Sequence, residues 1–381
     1  MVWFSILVCV FWSVVVVNMW RVHSSVPQLH AYQPQNNSDL PTLSILVPAC
    51  NEENSIRESI QSLLGQEYSN LQIVVINDRS TDNTGAIVDD LALEDSRIEV
   101  CHVQKLPEGW LGKVHALHCG MQKATGTWVL CTDADIIFSK DALTKAVCYA
   151  EEHELDHLCV MPKMYSSSVW ASMAIVSAIR SILMAFKPWH VTDKNRPEFV
   201  GVGAFNLIKR SHFLQTEGFA WLRMDIADDL ALGMLIKQSG GKPGVLLAPK
   251  DVAVEWYPSV GDVIKGLEKN AYSQIARFSL WRGILAGMML GISSISTILI
   301  ALFVPKALLF LVPVIMVFAW ICGKIIEVPF WHACFSVVCG DALLMWVILR
   351  STILGHKRGG VIWRNTVYPS EELRAGTKVW I

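Results

Sequence analysis

The 381-residue sequence predicts an α/β domain, built on a mostly parallel β-sheet, that is joined to one N-terminal and about three C-terminal transmembrane helices. Two patterns lead to this fold class. Short apolar runs alternate with helix-like stretches between residues 43 and 161, and long apolar runs lie near both ends. Hydrophobic residues make up 52% of the chain and charged residues only 17%, which is too apolar for a purely soluble protein.

The first apolar run predicts a membrane anchor. Residues 3–20 contain no charge, and Arg21 and His23 come directly after them. Because no small-residue cleavage site is evident, we expect residues 1–22 to be a retained anchor rather than a cleaved signal peptide. Positive charge on the downstream side favours the cytoplasm for the residues after the anchor. Residues 23–42 are polar and contain three prolines, which indicates a linker.

Three more apolar stretches lie near the other end, at residues 284–304, 307–322 and 328–349. Each is long enough, or nearly so, to cross about 30 Å of hydrocarbon. We therefore expect a membrane region over residues 281–350 and a basic tail over 351–381. Four complete crossings would put both termini outside, whereas the basic tail favours the inside. A re-entrant hairpin among these stretches would remove the conflict, and the sequence leaves both topologies open.

A fifth apolar region, residues 170–189, contains Arg180 and Lys187. Apolar residues recur there at steps of three and four: Ile175, Ile179, Ile182 and Phe186. The pattern predicts a helix lying in the membrane surface. A buried core helix is the alternative.

Between these regions, apolar runs predict strands at residues 43–47, 73–76, 98–103, 128–131 and 158–161, with helices between them. Strands that are apolar throughout indicate a parallel sheet covered on both faces. Ligands of such sheets bind at the carboxyl ends of the strands. The polar motifs of this chain lie after several of those ends, as a shared site requires.

Two of these motifs are polar turns. The first strand runs into Pro48, Ala49 and then Glu52, and the second ends at Asn77 and Asp78. Helix caps and solvated turns use the same residue types. An aspartate in the place of Asp78 can instead accept hydrogen bonds from a base or a ribose.

The strongest motif is Thr132-Asp133-Ala134-Asp135, after an apolar strand. Two carboxylates one residue apart repel each other when they are half buried, and a bound cation removes that cost. Oxygen ligands suit Mg²⁺ or Mn²⁺. Such an ion neutralises a departing diphosphate. A solvated turn is the alternative.

Two later motifs carry further polar groups. Asp228 and Asp229 open a helix-forming stretch, where the helix dipole favours carboxylates and tends to keep them ionised, which suits a general base. In the segment Gln274-Ile275-Ala276-Arg277-Phe278, the spacing of three places Gln274 and Arg277 on one helical face. The arginine can grip a diphosphate in bidentate fashion, or serve only as a juxtamembrane anchor.

Composition argues against other classes of protein. The net charge of −2, with no basic tract interleaved with aromatic residues, gives no reason to expect a nucleic-acid partner. The ten cysteines include no CxxC pair and favour free thiols on a cytosol-facing part.

Taken in order, these motifs resemble the membrane-bound branch of family 2 glycosyltransferases with a GT-A fold, which includes ceramide glucosyltransferase and the hopanoid-associated and carotenoid glycosyltransferases. The resemblance covers residues 43–282, and the tail from Ile362 to Tyr368 is also similar. The segment from Pro107 to Lys113, followed by Ala116 and Leu117, is characteristic of this branch.

The resemblance implies a role for each motif. A nucleotide would be cradled by Pro48, Ala49, Glu52 and Asp78, with Lys113 nearby. Asp133 and Asp135 would form the metal motif, with Asp135 the more direct ligand. Asp229 corresponds to the catalytic base, preceded by Asp228, and Gln274, Arg277 and Phe278 correspond to a Gln-x-x-Arg-Trp motif. Asn77 replaces a common aspartate and Phe278 the usual tryptophan. The loop from Gly201 to Phe205 falls near the expected acceptor.

The sequence therefore predicts a GT-A catalytic domain over residues 43–280, facing the cytoplasm. Its expected activity is inverting transfer of a sugar from a nucleotide-sugar donor, a UDP-sugar by resemblance, to a membrane lipid acceptor. The expected partners are this donor, the lipid acceptor and the bilayer, with Mg²⁺ or Mn²⁺ as cofactor. A processive polysaccharide synthase and a catalytically silent nucleotide-binding scaffold are the alternatives.

Overall fold

The structure is a computed structural model that describes residues 2–34, 39–363 and 366–380. The chain forms two compact units. The sheet unit comprises Pro27–Lys163 and His190–Val254, and the helical unit comprises Met1–Val26, Met164–Trp189 and Glu255–Ile381. Residues 35–38 of the predicted linker, and Arg364 and Asn365 of the tail, lie outside the described residues.

The strands and helices are numbered in chain order. The strands are β1 Leu43–Ala49, β2 Leu71–Asp78, β3 Ile98–Val103, β4 Trp128–Cys131, β5 Ile137–Phe138, β6 His157–Tyr165, β7 Asn206–Lys209, β8 Pro243–Glu255, β9 Gly360–Trp363 and β10 Thr366–Pro369. The α-helices are α1 Val2–Ser25, α2 Ile56–Leu64, α3 Thr84–Glu94, α4 Gly112–Lys123, α5 Ala142–Glu152, α6 Val169–Phe186, α7 Arg210–Phe213, α8 Asp228–Gln238, α9 Val260–Asn270, α10 Leu280–Phe303, α11 Leu308–Ile326, α12 Phe330–Phe335, α13 Asp341–Arg358 and α14 Ser370–Gly376.

The eight-stranded sheet has the order β3-β2-β1-β4-β7-β6-β8-β5. β1 pairs in parallel with β2 and β4, and β2 pairs in parallel with β3. β7 joins this half in antiparallel pairs with β4 and β6, and β5 is antiparallel to β8. The predicted fold class is thus confirmed, with an antiparallel part that turns the sheet into a mixed one.

This strand order positions the polar motifs. β2, β1 and β4 are neighbours and point the same way, so Asp78, Glu52 and Asp133 lie at or after the carboxyl ends of three adjacent strands. The strands are buried along nearly their whole length, with Ile45, Val47 and Val75 fully inaccessible to solvent. Burial of each such side chain contributes about 1.5–3 kcal/mol, which holds this edge of the sheet rigid.

In the part of the chain that the structure describes, the helical unit contains five helices that are long and apolar enough to cross a membrane, by length and composition. They are Trp3–Ser25, Val169–His190, Leu280–Phe303, Pro305–Ile326 and Phe330–Arg358. One lies near the N-terminus and three come after residue 279, as the sequence predicts.

The helix α6 is largely buried within the helical unit. Its Arg180 pairs with Asp341 at 2.7 Å, and Asp341 also accepts a hydrogen bond from Ser293 at 3.1 Å. The Arg180 guanidinium lies 5.3 Å from the ring centre of Trp12. A surface helix would leave its polar side in contact with headgroups, so this burial favours the core-helix alternative for residues 170–189.

Helices α10 and α13 pack against each other in antiparallel register. Gly283 lies against Thr352, Gly287 against Leu349, and Gly291 against Met345. A side chain at any of these glycines would meet its partner, because the two backbones approach closely. The first turns of α10 and the last turns of α13 therefore lie at the same end of the helical unit.

Candidate active site

Three loops of the sheet unit meet around the amine of Lys113. Its Nζ lies 2.6 Å from Asp133 Oδ1, after β4, and 3.5 Å from Asp228 Oδ2, in the first turn of α8. Lys113 itself is the second residue of α4, which comes after the segment from Pro107 to Gly112. Residues 113 and 228 are far apart in sequence and line one small cavity with Pro48, Thr132, Gly203 and Asp229.

Gly203 joins the two acidic loops through its backbone. Its carbonyl oxygen accepts a hydrogen bond from the Asp133 N–H at 3.1 Å, and its own N–H donates to Asp229 Oδ2 at 3.0 Å. A side-chain carbon at this position would lie 2.5 Å from Asp133 Oδ2 and 3.1 Å from Lys113 Nζ. At Gly201 a side-chain carbon would lie even closer, 1.8 Å from the Asp229 carbonyl oxygen. Only glycine allows this loop to pass between the carboxylates.

Asp229 is held by backbone hydrogen bonds on both carboxylate oxygens. Besides the bond from Gly203, its Oδ1 accepts from the Leu230 N–H at 2.8 Å. Its carbonyl oxygen accepts from the Asn206 amide at 3.3 Å. The orientation of the carboxylate is therefore fixed before any ligand binds.

The charges of the cluster shift its pKa values. Burial alone would favour a neutral amine, but the carboxylates of Asp133, Asp228 and Asp229 outweigh it and raise the pKa of Lys113. Burial, with repulsion from Asp228, raises the pKa of Asp229 although Lys113 opposes this. The helix dipole was expected to keep Asp229 ionised, so burial and the neighbouring carboxylate outweigh it. A carboxylate with a raised pKa is a better proton acceptor.

Asp135 lies on the solvent side of the same loop. Desolvation, followed by repulsion from Asp133 and Glu52, raises the pKa of Asp135 to about 7, although the side chain keeps access to solvent. Asp133 also contributes to the raised pKa of Asp229. Asp135 and Asp229 thus lie within electrostatic reach of the same carboxylate, as a shared site requires.

The carboxylate oxygens at this loop partly meet the needs of a hard divalent cation. Three carboxylates, of Glu52, Asp133 and Asp135, repel one another, and a cation would relieve that repulsion. Among the described residues no group of three or more side chains is placed to hold an ion by itself. The protein would therefore supply one or two oxygens and leave the remaining positions to water or phosphate, which is how Mg²⁺ sites in proteins are often completed.

The second polar turn is built around an ion pair that the sequence did not reveal. Arg79, with φ of 56°, places its guanidinium on the buried Asp78 in bidentate fashion, at 2.8 and 3.0 Å. Asn77 bonds to His102 Nδ1 at 3.0 Å, and His102 Nε2 bonds to Asp89. Because Asp89 holds the proton on Nε2, Nδ1 accepts from the Asn77 amide. An ionised aspartate at position 77 could not donate, which accounts for the asparagine there.

The segment from Gln274 to Phe278 belongs to the helical unit, and its predicted shape is wrong. Ala271–Ile275 is a π-helix, and Arg277 and Phe278 both have positive φ, of 49° and 54°. The helix ends before Arg277, so Gln274 and Arg277 do not share a helical face. Two consecutive left-handed residues redirect the chain into α10, an arrangement that spacing alone does not predict.

Gln274 carries a second sign of function. Its side chain is 1% exposed, and neither its amide nitrogen nor its oxygen has a hydrogen-bond partner among the residues that the structure describes. A buried, unpaired amide costs about 1–3 kcal/mol, and π-helical turns and strained backbone concentrate at functional sites.

Comparison with known proteins gives a family match for part of the chain. Residues 44–227 match the family described as Glycosyl transferase family 2. The chain is 35% identical over 117 residues to the uncharacterized glycosyltransferase EpsJ of Bacillus subtilis, over 31% of this chain and 33% of EpsJ. It is 33% identical over 101 residues to the poly-β-1,6-N-acetyl-D-glucosamine synthase of Staphylococcus epidermidis, over 26% of this chain and 23% of the synthase. The chain thus spans about a third or less of these relatives.

One solved structure resembles nearly the whole chain. The mannosyltransferase PcManGT of Pyrobaculum calidifontis, in complex with GDP-Man and Mn²⁺, superposes with a TM-score of 0.53 at 15% identity. The superposition covers 93% of this chain and 98% of PcManGT. This likeness shows the fold.

Residues 44–227 form a family 2 glycosyltransferase domain, and the chain has the GT-A fold that the resemblance implied. Asp228 and Asp229 come directly after the matched range. The finer resemblance to the lipid-glycosylating branch stays a prediction.

Proposed function

We propose that this protein is an inverting glycosyltransferase that moves a sugar from a nucleotide-sugar donor to a membrane lipid acceptor. The observation that carries the proposal is the junction of Lys113, Asp133, Gly203 and Asp229 within the sheet unit. It brings a cationic group and a metal-type motif, both suited to a diphosphate, next to a carboxylate suited to accept a proton.

Asp229 would act as the general base. Its two oxygens are oriented by backbone N–H groups, and its raised pKa strengthens it as a proton acceptor. It would take the proton of the acceptor hydroxyl as that oxygen attacks the anomeric carbon from the face opposite the leaving group, which inverts the configuration. The second carboxylate, of Asp228, faces Lys113 and thereby leaves Asp229 to the acceptor.

The donor's diphosphate would lie along the carboxyl ends of β1, β2 and β4. Pro48, Ala49, Glu52 and Asp78 border this edge, and Lys113 offers a positive charge beside it. Asp135 and Asp133 would hold Mg²⁺ or Mn²⁺, which when bound supplies positive charge to the leaving diphosphate. The resemblance also assigns Gln274 and Arg277 to this reaction, and both lie in the helical unit. The resemblance favours a UDP-sugar as the donor. Because the PcManGT structure contains GDP-Man, a GDP-sugar should be tested beside it.

The membrane topology supports a lipid acceptor and a cytoplasmic site. β6, before α6, pairs with β7, after it, so the chain leaves one sheet and returns to it. The returning residues 187–205 contain only the short 3₁₀ turn Pro188–His190. Irregular backbone does not cross lipid, so α6 does not span the bilayer completely.

We infer a count of crossings from the antiparallel register of α10 and α13. Since the end of α13 returns to the start of α10, the end of α10 and the start of α12 lie towards the same end of the pair, and α11 connects them. We take α11, which contains Pro313, as the re-entrant element. α1, α10 and α12 with α13 then make three crossings. This count would leave the basic last turn of α13 on the cytoplasmic side, as the positive charges there favour.

A processive polysaccharide synthase is the second candidate, favoured by the similarity to the Staphylococcus epidermidis synthase. One experiment separates the two. Membranes containing the protein are incubated with radiolabelled UDP- or GDP-sugars with and without Mn²⁺. A single-sugar product that extracts into organic solvent supports the proposal. A high-molecular-weight product on a gel indicates the synthase, and absence of transfer with every donor indicates the silent scaffold.

A further inference from the structure

A cavity of about 610 Å³ opens in the helical unit at the beginning of α10. Two segments line it: the turn into α10 and the last part of the chain. Its lining consists of Arg277, Phe278, Ser279, Leu280, Trp281, Arg282, His356, Arg374 and Trp380. We name it the tail pocket. The tail residues Arg374 and Trp380 belong to no motif that the sequence singled out.

The lining of the tail pocket is basic. It contains three arginines and one histidine and includes no carboxylate. Arg282 and His356 are exposed to solvent. Within the described part of the chain, one acidic residue, Glu268, pairs with basic side chains in the adjoining turns of α13. Its partners are Arg350 and Arg358, and neither of them lines the pocket. An anion would therefore be attracted to the pocket.

Aromatic and backbone contacts hold two of the arginines in place. Arg374 donates one N–H to the Phe278 carbonyl at 2.9 Å and lies 5.9 Å from the centre of the Phe278 ring. The Arg277 guanidinium lies 6.0 Å from the Trp380 ring, and Phe278 and Trp380 meet edge to face. Guanidinium groups fixed in this way lose little entropy on binding a phosphate, and Arg374 has further donors for it.

The start of α10 adds neutral donors. Ser279 is its N-cap residue and makes no side-chain cap hydrogen bond, and the described first turn contains no acidic residue. The first N–H groups of a 24-residue helix are thus available for a ligand at the pocket, which Ser279, Leu280 and Trp281 line.

The same helix indicates where the pocket lies relative to lipid. α10 is a candidate membrane span, and its exposed face is apolar, with Leu285, Met289 and Ile292 more than half exposed. Trp281, at its start, is 77% exposed. Exposed tryptophan at the end of an apolar helix marks the level of lipid headgroups. The tail pocket therefore faces the headgroup region rather than bulk water.

We propose that the tail pocket binds the phosphate group of an anionic membrane lipid, held by Arg282, Arg374 and the first turn of α10. This inference does not depend on sugar transfer, because the binding can be measured with no donor present. Free inorganic phosphate and a nucleotide diphosphate carry the same chemistry, and the experiment separates these sources.

The full-length protein, purified in a neutral detergent, is titrated with phosphatidic acid or phosphatidylcholine and analysed by native mass spectrometry. We expect preferential binding of phosphatidic acid. Arg282→Gln should weaken it about tenfold, the size of one charge-assisted hydrogen bond. Arg374→Gln should weaken it at least as much, and Arg374→Lys less. Lys357→Gln removes an exposed charge from the same α13 turn outside the pocket and should leave the affinity unchanged.

Three results would overturn the proposal. The first is equal affinity for the two lipids, and the second is an equal loss in the Lys357→Gln and Arg282→Gln variants. The third is complete displacement of the lipid by millimolar inorganic phosphate or UDP, which would assign the pocket to a free phosphate or to the nucleotide. Because Arg282 is exposed and outside the described hydrogen bonds, its variant tests binding even if Arg374→Gln fails to fold.

Discussion

Replacement of Lys113 by methionine should destabilise the sheet unit, and more so at pH 8 than at pH 5. The amine lies 2.6 Å from Asp133 and 3.5 Å from Asp228. Without it, neighbouring carboxylates of like charge lose this cation. The methionine side chain keeps the length and apolar stem of lysine, so the change removes mainly the charge.

The magnitude depends on the burial of the partners. Removing one partner of a buried pair costs about 3–5 kcal/mol. Since the Asp133 side chain is 39% exposed, we reduce this to about 2–3 kcal/mol. Domains of 150–250 residues change Tm by about 2–4 °C for each kcal/mol, so the expected loss is roughly 5–10 °C at pH 8.

The pH dependence has a definite sign. The folded-state pKa of Asp229 is raised, so the folded state binds this proton more readily than the unfolded state. The cost of the charged carboxylate is therefore present at high pH and disappears as the pH falls through that pKa. Lys113→Met raises the pKa further, and its Tm deficit should shrink at pH 5.

The assay is thermal unfolding followed by tryptophan fluorescence in detergent, with Lys123→Met as the matched control. Lys123 pairs with Glu99, but the two side chains are 37% and 42% exposed, so this pair contributes under about 1 kcal/mol. Equal Tm losses in both variants, or a Lys113→Met deficit that does not change with pH, would refute the reasoning.

Three further outcomes are expected. Mn²⁺ should raise the Tm of the wild-type protein more at pH 8 than at pH 6, because protons compete with the metal for Asp135, whose pKa is about 7. Mn²⁺ should not change the Tm of the Asp135→Asn variant. An equal Tm shift in that variant would show that Asp135 does not bind the metal. Gly203→Ala should abolish transfer and lower stability by about 1–3 kcal/mol, because its added carbon meets Asp133 and Lys113, and normal turnover would contradict the close approach. Gln274→Met should impair transfer without lowering Tm, because it removes a buried amide that has no hydrogen-bond partner among the described residues. The control is Gln66→Met, which should lower Tm because the buried Gln66 side chain donates hydrogen bonds to the carbonyl oxygens of Ser62 and Ser139. Equal Tm losses in the two variants would show that the Gln274 amide does make hydrogen bonds.

The parallel half of the sheet and the apolar helices could be predicted from the sequence because each leaves a local pattern. β1, β2 and β4 are runs of buried aliphatic residues, and their order brings together the turns after them. β7 has only four residues and gave no such signal. Its pairing with β4 and β6 depends on a long-range contact across α6, which periodicity does not report.

The site was predictable in part. Aspartates after apolar strands indicated Asp133 and Asp135, and resemblance supplied Lys113. The role of Gly203 as the link between Asp133 and Asp229 was not visible, because it depends on backbone hydrogen bonds across loops. Asn206, which bonds to the carbonyl of Asp229, lies in β7 and was missed for the same reason. The adjacency of charges at Asp78 and Arg79 was the one available signal for that ion pair.

The turn after Gln274 shows a limit of spacing arguments. A separation of three residues indicates a shared face only when the helix continues, and in this chain the backbone leaves the helix at Ala276. The tail residues Arg374 and Trp380 reach Phe278 from about 100 positions away in sequence, a contact that no local pattern encodes.

The most direct test of the proposed active site is the Asp229→Asn variant, measured for both donor binding and transfer. Asparagine keeps the size of the side chain and an oxygen that can accept the Gly203 N–H, but it cannot take a proton. Calorimetric affinity for the nucleotide donor with Mn²⁺ should remain nearly unchanged, while transfer to lipid should fall by about 10²–10⁴-fold. Turnover close to that of the wild type would contradict the account.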